Sequence, residues 1–149
     1  MRSLVCLAIL ALLSAATARS QQASATKTAP PDPCAATTSQ EERNQCWDDL
    51  YHKADAQLTA LYRKILSDIR STASQRQGIL QFHEETALSK LKAAELAWER
   101  YRNLQCDAAE QQYEGGMISP SVRAGCAKTL TGERMAELKK TYAIYLLPQ

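Results

Sequence analysis

Trp47, Leu50, Ala54, Leu58, Leu61, Ile65 and Ile69 recur at intervals of three and four residues, the repeat that puts side chains on one face of an α-helix. Thr38-Ser39-Gln40-Glu41-Glu42 precedes this stripe. Ser39 is placed to cap the helix, and Glu42 completes a capping box while opposing the positive end of the helix dipole. The stripe persists to about Arg70, where Ser71-Thr72-Ala73-Ser74 interrupts it. A second stripe opens with Ile79 and Phe82 and carries on through Leu91, Ala94, Trp98 and Tyr101, while Lys92, Glu99, Arg100 and Asn103 point elsewhere. It predicts a second amphipathic helix with an aromatic centre, ending near Tyr113.

Gly115-Gly116 tolerates positive φ and stops that helix, and Pro120 suits the first turn of the next. Val122, Cys126 and Leu130 line one face of a short third helix, which Thr131-Gly132 is placed to interrupt. Met135, Leu138, Tyr142 and Tyr145 continue the apolar face until Pro148. No segment alternates in the manner of a strand, and there is no internal repeat. The expected fold is therefore all-α: a small antiparallel bundle of three main helices, or four if Thr131-Gly132 splits the last.

A hairpin between the first two helices can be tested by register, because each residue advances the helix about 1.5 Å. If the chain reverses near Ser74, Arg102 falls level with Asp48, while Asp55 is offset by roughly 13 Å. Asp48 or Asp49 is then the expected partner of Arg102. If the next reversal falls near Met117, Cys106 and Cys126 come to similar heights. Pairs Cys34 with Cys46 and Cys106 with Cys126 are favoured. The alternative Cys46 with Cys106 is only about 6 Å out of register and stays open.

The N-terminus changes the compartment. Arg2, the apolar run from Leu4 to Leu13 and the small residues Ala16-Thr17-Ala18 read as a signal peptide over residues 1–18. Residues 19–33, rich in Ser, Gln, Ala and Thr and ending in Pro30-Pro31-Asp32-Pro33, read as a flexible linker. The helical domain is expected over 34–149. The apolar run is too short to span a bilayer, and no cysteine sits at the cleavage point to carry a lipid, so the mature chain is expected to be periplasmic or secreted with no membrane span. Without Arg2 the chain keeps 17 basic against 16 acidic residues. That near-neutral balance gives no field favouring nucleic acid. Four cysteines in an exported chain point to two disulfides rather than zinc, because no C-x-x-C pair occurs.

Candidate chemistry is sparse. His83-Glu84-Glu85-Thr86-Ala87 begins like the H-E-x-x-H zinc motif, but Ala87 stands where the second ligand belongs. His52 and His83 read as surface histidines. Asp48-Asp49 beside Glu41-Glu42 is explained by the helix dipole without invoking acid–base catalysis. No catalytic residue, cofactor or metal site is expected. Binding chemistry is better represented. Met117 and Ile118 stand at the tip of a loop between Gly115-Gly116 and Pro120, where apolar side chains make a recognition element. Arg102 joins them as a candidate partner contact, since arginine is common at binding hot spots.

Taken in order, Cys34, Gln40, Asn44, Cys46, Ala54-Asp55, Leu58, Tyr62, Ala94, Ala97-Trp98, Tyr101-Arg102, Cys106, Gly115-Gly116, Pro120, Cys126, Leu130-Thr131 and Arg134 resemble the LprI-like family of lysozyme inhibitors. Glu95 stands where that family often has Gln, and Asn103 where it often has Asp. The resemblance implies an exported envelope protein that blocks the lysozyme cleft non-covalently, with Asp55, Tyr62, Trp98 and Tyr101 as motif and core positions. With so little net charge, capture of a basic lysozyme would rest on shape. The competing expectation is a structural envelope protein that packs against another envelope protein and inhibits nothing.

Overall fold

The computed structural model describes residues 31–75 and 79–146. Among them are three α-helices, α1 (Gln40–Gln75), α2 (Ile79–Gln111) and α3 (Ser119–Thr141), followed by a 3-10 turn, Ala143–Tyr145. No strand occurs among the described residues. At 1.5 Å per residue, α1 and α2 are each roughly 50 Å long and α3 about 35 Å. α3 packs most extensively on α1 and next on α2, while direct contact between α1 and α2 is the smallest of the three.

Local chemistry accounts for the ends. Ser39 Oγ accepts the Glu42 backbone N–H at 3.1 Å, the expected cap. The Glu42 carboxylate turns back to Thr38, accepting its backbone N–H at 2.9 Å and its hydroxyl at 2.8 Å. Asp32 accepts the Cys34 backbone N–H at 2.9 Å and pairs with Arg43 of α1, so the end of the expected linker is tied down. α3 opens without a side-chain cap but with Pro120 in its first turn, and it closes on Lys139 and Lys140, which oppose the negative end of its dipole.

Three layers run along the bundle. Nearest the α1–α2 reversal, Leu58, Ile65, Leu66 and Ile69 of α1 meet Leu88 and Leu91 of α2 and Leu138 of α3. Each such buried side chain contributes roughly 1.5–3 kcal/mol. Tyr62, Trp98, Met135, Tyr142 and Tyr145 pack around this cluster, half-buried. A buried polar layer follows, and beyond it lie the disulfides. Cys34 is bonded to Cys46 and Cys106 to Cys126, so the Cys46–Cys106 alternative does not occur.

Several expectations are corrected. α1 continues through Ser71-Thr72-Ala73-Ser74 to Gln75. Those residues are only moderately poor helix formers, and the stripe pauses without the helix breaking. α3 is likewise unbroken across Thr131-Gly132; one interior glycine costs about 1 kcal/mol, and Thr131 is wholly buried, so packing prevails. No fourth α-helix follows among the described residues. The buried face of α3 is Ser121, Ala124, Ala127, Thr131, Arg134 and Leu138, with Val122, Cys126 and Leu130 only half-buried. On α2 the inward face is Leu88, Leu91, Glu95, Arg102 and Cys106. Ala94 is exposed and Tyr101 is 53% exposed, so Tyr101 is not a core residue. In both helices charged or small side chains occupy inward positions, which displaces the apolar stripe from the buried face. The side chains of Ile79, Phe82 and His83 lie outside those described, as do residues 1–30.

Candidate functional site

The turn between α2 and α3 is built from short hydrogen-bonded steps. Tyr113 N donates to Glu110 O at 2.8 Å, Gly116 N to Tyr113 O at 2.9 Å, and Ser119 N to Gly116 O at 3.1 Å. Gly115 takes φ +77°, a conformation that costs a side-chain-bearing residue strain. At Gly116 a Cβ would stand 3.0 Å from the Tyr113 carbonyl oxygen, too close for ordinary contact. The turn therefore favours glycine at both positions, by backbone conformation at Gly115 and by close approach at Gly116.

All three helices brace this turn. Asn44 of α1 donates from Nδ2 to the Met117 carbonyl at 3.0 Å, and Gln40 donates to Asn44 Oδ1 at 2.8 Å. Ser119 Oγ donates to Glu110 of α2 at 3.2 Å. Arg123 of α3 pairs with Asp107 at 2.9 Å and Glu110 at 3.5 Å, beside the Cys106–Cys126 bond. On this support Met117 is 74% exposed, and Ile118 is also exposed. Ile118 borders a groove of about 320 Å³ with Arg43, Trp47 and Val122. A second groove, about 490 Å³, lies between Trp47 and Tyr101. Trp47 separates the two and rests on α3, its ring 3.5 Å from where a Gly125 Cβ would stand.

Arg102 belongs elsewhere. It is only 6% exposed, inside the bundle, so it is not a partner contact. Its Nη1 donates to Asp55 Oδ1 at 2.6 Å and to Thr131 Oγ1 at 3.1 Å. The guanidinium carbon lies 4.9 Å from the Trp98 ring centre and 5.3 Å from that of Tyr51, within cation–π range. The partner is Asp55, not Asp48 or Asp49. With α1 running to Gln75 and α2 opening at Ile79, the midpoint between them falls three residues later than Ser74, which shortens the Asp55 offset to about three residues, roughly 4.5 Å, a span that an arginine side chain covers. Asp49 instead accepts from Gln45 at 2.8 Å, and Asp48 faces the exposed His52 at 3.3 Å.

A second buried pair adjoins it. Arg134 donates from Nε and Nη2 to Glu95 Oε2 at 3.1 and 2.9 Å and from Nη1 to Glu137 at 2.9 Å, and its guanidinium lies 5.8 Å from Trp98. Burial lowers the Arg134 pKa, but the Glu137 and Glu95 carboxylates outweigh it and hold the group above its ordinary value. Tyr62 nearby is raised above the usual tyrosine value, first by burial and then by the Glu95 and Glu99 charges. The sequence placed an interhelical pair at Arg102 but with the wrong carboxylate, and it missed the Arg134–Glu95 pair because charges on a helix ordinarily read as surface. The signal of this layer was the spacing of Glu95, Trp98 and Arg102, which is helical whatever the residue type.

No group of three metal-ligating side chains occurs among the described residues, and no described helix is long and apolar enough to cross a membrane. Fold and site together define a small disulfide-linked helical protein that buries Glu95, Arg102 and Arg134 and displays a braced apolar turn. The chain belongs to the lysozyme inhibitor LprI family, whose model matches residues 34–138. It is also 37% identical over 111 residues to an uncharacterised protein of Rhizobium meliloti (strain 1021), covering 74% of this chain and 79% of that one. No solved structure matches.

Proposed function

We propose that the protein is an exported inhibitor that occupies the substrate cleft of a lysozyme through the turn at 115–118 and performs no chemistry of its own. Family membership supports the target class. The observation that carries the binding mode is the exposure of Met117 and Ile118 on a turn held by Asn44, Glu110 and the Cys106–Cys126 bond. Such preorganisation lowers the ordering cost of association. Export rests on the signal-like residues 1–18, and the segment after them serves as a tether that lets the domain reach an enzyme at the cell envelope.

The test is a lysis assay on peptidoglycan with chicken-type, goose-type and invertebrate-type lysozymes. Purified protein should slow at least one of them in a saturable, reversible manner, at a stoichiometry near one inhibitor per enzyme. Full activity of all three at excess inhibitor would end this reading.

A further inference from the structure

The face of α2 that points away from α1 and α3 carries Lys90, Ala93, Ala97, Arg100, Leu104 and Asp107, all exposed. Their spacing alternates three, four, three, four, three, which places them in one seam along the helix, with Ala93, Ala97 and Leu104 apolar and Lys90, Arg100 and Asp107 charged. Leu96 and Tyr101 flank the seam, and Leu96 at 69% and Leu104 at 59% exposed are conspicuous on a helix with a well-packed inner face. Leu96 and Leu104 stand about 12 Å apart along the helix, each open to a neighbouring chain.

The seam is complementary to itself. About a twofold axis between residues 98 and 99, an antiparallel copy sets Ala93 against the partner's Leu104 and Ala97 against the partner's Arg100. Lys90 then falls opposite the partner's Asp107. Each small residue meets a long one, and each end of the seam closes on opposite charges, twice over by symmetry. Tyr101 faces the partner's Ala94, which is also exposed. Asp107 already pairs with Arg123 through one carboxylate oxygen but keeps about half its side-chain surface open, so it has room for a second cation. Arg100 is the one seam residue opposed to pairing, because its copies approach each other near the axis; its stem covers Ala97 while the charge reaches out to water.

We propose that this face of α2 joins two copies of the chain as an antiparallel, twofold dimer. The turn at 115–118 lies outside the interface, roughly 25 Å along α2 from the axis. Each dimer thus presents two such turns, at opposite ends. The pairing does not depend on what those turns bind.

Sedimentation equilibrium of the purified protein, from low micromolar to near-millimolar concentration, tests it. The mass should rise from one chain to two. Leu104→Glu should hold it at one, with the helical circular dichroism unchanged. Arg100→Leu should shift the transition to lower concentration. Lys90→Asp and Asp107→Lys should each weaken association, and the two together should restore it. A single chain at every concentration would overturn the dimer and leave the face to a different protein. A dimer indifferent to Leu104→Glu would overturn this face, and failure of the charge-swapped double variant to recover would overturn the antiparallel register.

Discussion

At the open end of the bundle, Met117 and Ile118 stand in solvent on a turn held by hydrogen bonds and a disulfide. Further in, Arg102, Arg134 and Glu95 are buried around Trp98. The two regions reverse the ordinary placement of apolar and charged side chains, and they do so for different reasons. Buried charges persist only when paired and hydrogen-bonded, and here each guanidinium has a carboxylate and an aromatic neighbour. Exposed apolar groups gain nothing from folding, and it is their display on a braced turn that the proposed binding mode rests on. Trp98 and Arg102, of the residue types that suggest a binding hot spot, serve architecture in this protein, and the proposed recognition rests on a methionine and an isoleucine.

The largest expected effect is in the buried layer. Arg134→Met strands Glu95, whose side chain is 7% exposed, and urea unfolding should show a loss of about 3–5 kcal/mol. Arg102→Met leaves Asp55 at 40% exposure, free to hydrate, and should cost less, about 1–3 kcal/mol. Equal costs would mean that solvent access does not separate the two pairs. Next come the disulfides. Replacing either pair by serines should cost about 3 kcal/mol in the same assay. Loss of Cys106–Cys126 should also weaken lysozyme binding beyond the unfolded fraction, because that bond braces the turn, whereas loss of Cys34–Cys46 should not.

At the turn the expectation inverts. Met117→Ser with Ile118→Ser should weaken binding by about 2 kcal/mol or more, while stability moves by less than about 0.5 kcal/mol. A lowered melting temperature with unchanged inhibition would place these side chains in the core and erase the contrast between the regions. The smallest effect lies at the start of α1. The Thr38 backbone N–H and then its hydroxyl hold the Glu42 carboxyl below its ordinary pKa of 4.5. Since the folded pKa is the lower one, this stabilisation is complete above the unfolded value and is lost as pH falls through the folded value. Glu42→Gln should flatten the acid side of the melting-temperature profile below about pH 5.

Sequence by itself determined the elements and their punctuation. The three helices, the Ser39 cap, the glycine turn and Pro120 in the first turn of α3 follow from short-range rules, since 3.6-residue periodicity and backbone φ preferences act within a few residues, whereas the cysteine pairing was only favoured by register until the structure removed the Cys46–Cys106 alternative. The exposed Met117 and Ile118 were legible for the same reason, being trapped between Gly116 and Pro120. Only the tertiary structure decided which way each helix faces. α3 turns Ser121, Ala124, Ala127, Thr131 and Arg134 inward, and α2 turns Glu95 and Arg102 inward in place of Tyr101. Hydrophobic patterning cannot register these positions, because a charge becomes a core residue only when its partner arrives from another helix. The Arg102–Asp55 pairing depended further on where the α1–α2 reversal falls: three residues of shift in that turn move the facing positions by six, about 9 Å along the axis, and no local signal sets it that finely.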